Sequence, residues 1–334
     1  MSALPEWAST LTDDARAALA KHQQPTFIVP MKATLTRDRF DDPGWIYERK
    51  LDGVRCLVTR RKGEVTLYSR NRKTLDSSFP EITAAVAGLS EDFIADGELV
   101  TFEGKVTSFS RLQRRIHVSD PGNQLIRETP VFAYLFDLLF LQGYDLRKLP
   151  LRERKKILKA AIAYHKPLRY LPHRNREGIA YYEQACGKGW EGVIAKDAGS
   201  TYVSKRCRQW LKFKCTAGQE LVIGGFTAPG GSRVGFGALL LGYYEGDDLR
   251  YAGRVGTGFS DELLQLLHDK MKRLQRKTSP FTDYDDCDKD VTWISPVLVG
   301  EVGFTEWTAE GRLRHPRFLG LRDDKPAGEV VRED

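Results

Sequence analysis

The residues KCTAGQE, 214–220, divide the chain into two stretches of different texture, and that break constrains the fold more than any other local feature. Small and polar residues there read as a linker. Ahead of it, strand-like runs dominate, with helices between them. VRCLVTRR and VTLYSR flank KGE, which predicts a hairpin turning at Gly63. FIADGELV and VFAYLFDLLF read as buried strands, with SFSRLQRRI between them as a short basic helix; EGVIAKD and WLKFK read as two further strands. LRERKKILKAAIAY puts Leu151, Ile157, Leu158, Ala161 and Ile162 on one helical face, and REGIAYYEQACGKG is a second helix. Beyond the break, ELVIGGFTA, ALLLGYYEGDDLRYAGRVGTG and VLVGEVGFTEWT are strands punctuated by glycine, with one helix, SDELLQLLHDKMKRLQR. The expected class is α+β. Residues 1–216 form a domain of antiparallel sheets and helices, and residues 217–334 a small β-barrel such as an OB-fold.

A length of 334 residues supports two cores. Lys and Arg outnumber Asp and Glu by 52 to 45, a formal charge of +7 that suits a polyanionic partner. No apolar run reaches the ~20 residues that span a bilayer, and MSALPEWASTLTDDARAALAKHQQ lacks the pattern of a secretory signal. No membrane association is expected, and the location expected is the cytoplasm, on the nucleoid. Five cysteines, Cys56, Cys186, Cys207, Cys215 and Cys287, are odd in number and form no C-x-x-C pair. They read as free thiols. The six histidines show no metal-binding spacing.

Charged residues cluster in a way that strand geometry sharpens. In YERKLDGVR, residues 47–55, alternation sends Glu48, Lys50 and Asp52 to one side, and Tyr47 and Leu51 to the other. TYVSKRCRQWLKFK, residues 201–214, carries five Lys/Arg and no acid. As a strand it presents Trp210, Lys212 and Lys214 together, with Leu211 and Phe213 turned to the core, and two such lysines can grip a triphosphate. Asp96, Glu98 and Glu191 sit beside glycine and could hold Mg²⁺ (or Mn²⁺), which takes a few carboxylates plus phosphate and water. No Walker-type loop is present. Any nucleotide must therefore be held by charged side chains.

The order of these elements carries more than any one of them. K-x-D-G-x-R (Lys50 to Arg55), S-R (Ser69–Arg70), D-G-E (Asp96 to Glu98), an aromatic strand (Tyr134 to Asp137), E-G-[VI]-[VI]-x-K (Glu191 to Lys196) and K-x-K (Lys212 to Lys214) follow one another. That ordered set closely resembles the covalent nucleotidyltransferases, and within them the ATP-dependent DNA ligases of the compact bacterial type, related to the ligase domain of end-joining ligases. GGSRVGFGALLLGYY, YAGRVGTGF and RHPRFLGLRDDKP extend the resemblance through the second domain, from about Pro30 to Ala327 in all.

The resemblance implies a nucleophile, Lys50, that attacks the α-phosphate of ATP and keeps AMP as a phosphoramidate. It implies Glu48 at the adenine edge, Arg55 and Glu98 at the ribose, and Phe136, by itself a core residue, stacked on the base. Glu98 and Glu191 become the metal carboxylates, and Lys212 and Lys214 the cations that neutralise the transferred phosphate. Arg322, Asp324 and Lys325 would close over pyrophosphate and swing away on a linker near Ala217. A free lysine titrates near ~10.4, so the attacking amine needs cations nearby.

Nicked double-stranded DNA is the implied partner. Arg70 would meet the 5′-phosphate of the break, with Arg72, Lys73, Arg111, Arg114, Arg115, Arg206, Arg208 and Arg233 on the backbone. Repair or end-joining proteins are further expected partners, and the chain is expected to act as a monomer. With 49 residues ahead of Lys50, the large helical DNA-binding domain of many ligases is not expected. Two other readings stay open from sequence. One is an RNA ligase or GTP-using capping-type enzyme, and the other an inactive nucleic-acid-binding scaffold.

Overall fold

Val54–Arg61 and Glu64–Ser69 pair as the expected hairpin. Its two-residue turn, Lys62 at φ 52° and Gly63 at φ 81°, is left-handed at both positions, which matches the twist of the flanking strands. The computed structural model describes residues 5–215, 218–230, 234–286 and 290–333. The chain divides into two units, Met1–Cys215 and Thr216–Asp334.

The first unit is built on two sheets. One runs in the order Ala20–Lys21, Tyr144–Asp145, Phe132–Leu141, Phe93–Val100, Val54–Arg61 and Glu64–Ser69, with Leu168–Tyr170 parallel beside Phe132–Leu141. The other runs His173–Asn175, Trp45–Lys50, Gly192–Asp197, Arg206–Lys214 and Lys32–Leu35. Alternation explains what each face does. On the outer face of the second sheet, Tyr47, Val193, Ala195, Leu211 and Phe213 pack on Tyr181 and Ala185 of the helix Gly178–Gly187. The outer face of the first sheet buries Val54, Cys56, Ala95 and Leu135 with Ile82, Leu112 and Ile157 from three helices. The inner faces meet through Leu57, Ile94, Phe136 and Trp210. The charged side chains of the inner faces are therefore trapped between two layers.

In the second unit, Val291–Gly303 pairs with Gly218–Thr227 and Arg317–Leu321, and Leu239–Glu245 and Asp248–Val255 extend the sheet. Register shifts at Ile223/Gly225, Leu241/Gly242 and Glu301/Val302 bend it. Backbone bonds from Leu313 to Ala252 and from Phe318 to Thr257, both 2.9 Å, bridge its two edges. The helix Asp261–Lys272 fills the interior with Leu264, Leu267 and Met271. The unit is similar to an OB-fold.

Three expectations need correction. Trp45–Lys50 stops at Lys50, so Asp52 does not continue its charged face; its carboxylate instead accepts from the Phe109 amide at the start of the helix Phe109–Ile116. Arg115 is not a DNA contact. It is fully buried, its guanidinium on both Glu81 oxygens and on the carbonyls of Ser78 and Thr129. A lone buried arginine needs such partners, and charge in the sequence does not reveal them. Finally, Cys186 and Cys215 are disulfide-bonded, with Cα atoms 5.1 Å apart. The helix Gly178–Gly187 and the strand Arg206–Lys214 bring their ends together, a juxtaposition that spacing alone cannot show. Cys56 and Cys207 are free; Cys287 lies outside the described residues, as does Ala217 of the expected linker.

Candidate active site

Three rows of side chains cross the inner face of the second sheet. Lys50, Gly192 and Lys214 are in register, then Glu48, Ile194 and Lys212, then Ile46, Lys196 and Trp210. Lys50 closes its strand at the open end, with its Nζ on the Glu191 carboxylate, and both side chains keep partial access to solvent (17% and 23%). Arg49 precedes Lys50 and Trp190 precedes Glu191. The Arg49 guanidinium lies 4.2 Å from the Trp190 ring centre, a cation–π contact that ties the two segments together behind the ion pair.

Gly192 lets the strands come this close. Its φ is +147°, and a Cβ there would stand 2.0 Å from the Phe213 carbonyl oxygen. Gly192→Ala is therefore expected to destabilise the first unit by about 1–3 kcal/mol and to slow nucleotide transfer, by displacing Glu191 and Lys214. Thermal denaturation beside a transfer assay checks this. A variant that melts and reacts like the parent would contradict it.

The facing sheet supplies the rest. Arg55 is opposite Glu98 in register and forms a two-bond pair with Asp96 (Nη2–Oδ2 2.6 Å). Asp96 also accepts from the Tyr202 hydroxyl at 2.6 Å. The Arg55 guanidinium stacks 4.6 Å from the centre of Phe136, whose ring packs edge-on against Trp210. Phe136 is only 6% exposed. Glu98 points from the first sheet and Glu191 from the second, so the two expected metal ligands are contributed by different layers. Among the described residues, no three or more His, Cys, Asp or Glu side chains form a metal cluster. A Mg²⁺ carried on a nucleotide needs only one or two carboxylates, the phosphates and water completing its shell. Glu98 and Glu191 fit that donor set.

Glu48 is more deeply placed than expected. It is 1% exposed, with Lys155 Nζ on one oxygen and Lys196 Nζ 2.6 Å from the other. Burial pushes its pKa up, but the two lysines outweigh that and hold the carboxyl below its usual range. Burial pulls Lys196 down to about 8 against the pull of Glu48 in the other direction. Sequence reasoning assigned neither lysine a role. Lys196 closes the E-G-V-I-A-K run and could have been found from strand alternation with Ile194; Lys155, within RERKK, gave no such signal.

The arginines expected at DNA occupy separate elements. Arg70 and Arg72 follow the strand Glu64–Ser69, Arg114 is on the helix Phe109–Ile116, and Arg206 and Arg208 are on the strand Arg206–Lys214. Of these, all but the half-buried Arg70 are exposed; Arg111, also expected at DNA, is half-buried and donates to the Glu128 carbonyl oxygen. Arg233 lies outside the described residues. Arg322 and Lys325 are held inside the second unit. Arg322 binds Asp324 through two bonds (2.8 and 3.0 Å) and Glu301 at 3.2 Å, and Lys325 binds Glu220 at 2.9 Å. Burial disfavours the Arg322 charge, but Asp324, Glu301 and Glu220 raise its pKa above the ordinary value.

Two facing, mainly antiparallel sheets, an amine at their open end and cations alternating along one face define a nucleotidyltransferase core followed by an OB-like unit. Comparison with known proteins agrees. The description "ATP dependent DNA ligase domain" matches residues 28–214, and "ATP dependent DNA ligase C terminal region" matches residues 232–325. The chain belongs to the ATP-dependent DNA ligase family. The multifunctional non-homologous end joining protein LigD of Pseudomonas aeruginosa is 36% identical over 345 residues, covering 99% of this chain and 40% of that protein. LigD of Mycobacterium tuberculosis is 38% identical over 296 residues, 86% of this chain and 37% of that protein. The chain thus spans about two fifths of the length of these relatives. The structure of a mycobacterial DNA ligase D complexed with ATP and MES is similar at a TM-score of 0.67 and 35% identity, over 92% of this chain and 98% of that one.

Proposed function

We propose that this chain seals nicks in duplex DNA in three phosphoryl transfers, with Lys50 as the amine that carries AMP. In the first, Lys50 Nζ gives up a proton and attacks the α-phosphate of ATP; the P–N bond forms as the bond to pyrophosphate breaks. In the second, the DNA 5′-phosphate attacks that phosphorus and Lys50 leaves. In the third, the 3′-hydroxyl attacks the 5′-phosphate and AMP departs. Each is an in-line displacement, so alignment and positive charge supply most of the acceleration.

The observation that supports this best is the Lys50–Glu191 contact at the open end of the second sheet, with Lys212 and Lys214 on the same face. Glu191 holds the amine in place, and the two downstream lysines neutralise the transferred phosphate. Arg55 would hold the ribose and Phe136 the base; both are already stacked on each other. Glu98 and Glu191 would hold a divalent cation that neutralises phosphate charge, Mg²⁺ or Mn²⁺. Arg322 and Lys325 reach pyrophosphate only if their present acidic partners release them. The chain is read as a monomer of the cytoplasm and nucleoid, with repair or end-joining proteins as partners. Among the described residues no helix is long and apolar enough to cross a membrane.

The test is intact mass after ATP, then after pyrophosphate, followed by labelled transfer to nicked DNA or nicked RNA. One AMP gained and then lost, with sealing of DNA, is the expected result. Labelling by GTP or sealing confined to RNA would replace the reading. Affinity for a nicked duplex should fall steeply with salt, and Arg206→Ala with Arg208→Ala should reduce the log–log slope by about 2, near one unit per phosphate contact. An unchanged slope would remove that strand from the DNA surface.

A further inference from the structure

The helix Leu151–Ala161 turns its apolar residues inward as its periodicity demands, yet it also buries charge. Lys155 is 1% exposed. Its ammonium donates to Glu48, to the Phe136 carbonyl oxygen at 3.2 Å and to the Leu171 carbonyl oxygen at 3.1 Å. An ammonium has three donors and no acceptor. All three are spent on protein oxygens, so this lysine has nothing left for a ligand. Lys196 takes the other Glu48 oxygen and lies 4.2 Å from the centre of Phe136 and 4.0 Å from that of Trp210. Two buried cations thus meet one buried acid directly beside the expected base-stacking ring.

That arrangement is a poor way to stabilise a core, because an excess buried charge is costly and apolar packing of the same volume is often as stable. It does something for Glu48 instead. We propose that Lys155 is a positioning residue for base choice, clamping Glu48 so that it stays an ionised, acceptor-only group toward the six-position of the purine. The proposal rests on the reading that Glu48 meets the base. An ionised carboxylate accepts from the exocyclic amine of adenine and repels the carbonyl oxygen of a 6-oxopurine. A protonated one carries a donor and would accommodate that oxygen.

The other groups around Glu48 leave the decision to the lysines. His173 is its partner across the strand pair, and burial with the Lys155 charge holds that imidazole down to about 4, hence neutral at working pH. Tyr170, whose ring centre is 4.8 Å from Lys155 Nζ, is pushed upward by burial and stays neutral. Tyr181 is likewise raised by burial. Asp137 is committed to Arg154. Without Lys155, burial of Glu48 is opposed by Lys196 alone.

The experiment measures kcat and KM for adenylyl or inosinyl transfer to Lys50, with ATP and ITP, in the full chain. ITP differs from ATP in carrying a carbonyl oxygen at the six-position and, beside it, an N1–H in place of the bare N1, with the sugar and phosphates unchanged. Glu48→Gln, whose amide can donate to the oxygen, and Lys155→Met are both expected to lower the ATP-over-ITP preference about tenfold or more. Lys155→Gln, which removes charge with less loss of polarity, should do the same and serves if Lys155→Met does not fold. Combining Glu48→Gln with Lys155→Met should lower the preference no further than Glu48→Gln alone. Arg115→Met breaks a buried ion pair elsewhere and should lose stability but keep the preference. If Glu48→Gln lowers the preference while both Lys155 variants retain it, Lys155 has no part in base choice. If Arg115→Met lowers it equally, the effect is general loosening and the proposal falls. A Glu48→Gln variant with unchanged preference would instead overturn the reading of Glu48 itself.

Discussion

Lys50→Ala is expected to leave no detectable protein–AMP adduct and no sealing of a 5′-phosphorylated nick, the largest effect of any single substitution in the chain. The reason is chemical: alanine has no lone pair with which to form the phosphoramidate, and the intermediate cannot form without it. Lys212 and Lys214 are not substitutes, since the strand register puts them across Ile194 and Gly192 from the Lys50 strand. The substitution is structurally mild, because Lys50 ends its strand and is partly exposed. A nick already carrying AMP on its 5′-phosphate bypasses the amine, so the same variant should still seal that substrate. Intact mass and gel-resolved sealing of the two substrates measure both halves. Adduct persisting in the variant would assign the chemistry to another side chain, and failure on the adenylated nick would mean that the site had lost more than its nucleophile.

Arg154→Met is expected to give the largest loss of stability, about 3–5 kcal/mol, the cost of leaving one member of a fully buried ion pair behind. Arg154 and Asp137 are both inaccessible to solvent. The guanidinium makes two bonds to Asp137 (2.7 and 2.9 Å) and also donates to the carbonyl oxygens of Leu149 and Ser200. It thereby joins the helix Leu151–Ala161 to the strand Phe132–Leu141 that carries Phe136. Adding Asp137→Leu removes the orphaned charge, and the double variant should recover much of the loss. Chemical denaturation of the first unit measures both. A single variant as stable as the parent would show that the pair contributes little.

The strands that carry the site were legible because alternation is local. Trp210, Lys212 and Lys214 share a face while Leu211 and Phe213 enter the core, as period two requires. The helix at 151–161 follows from apolar spacing in the same way, and those at 109–116, 178–187 and 261–272 lie where helices are expected. The ordered motifs led to the family, and the matched regions cover both units.

Pairing was not legible. Arg115 reads as a DNA contact and Arg154 as an ordinary basic residue, yet each is buried on an acid from a distant segment, the half-buried Glu81 and the buried Asp137. Cys186 and Cys215 gave no spacing signal and meet only because a helix end and a strand end converge. The break at 214–220 reads as a linker in sequence, but Lys214 still belongs to one strand and Gly218 already to the next.

The sequence by itself determined which residues alternate, where helices run and which reactive groups are available, since each depends on neighbours within a few positions. Only the tertiary structure decided which charges are buried and what neutralises them. A charge removed from water must find its counter-charge across the fold, and that search is settled by packing between sheets and helices far apart in the chain.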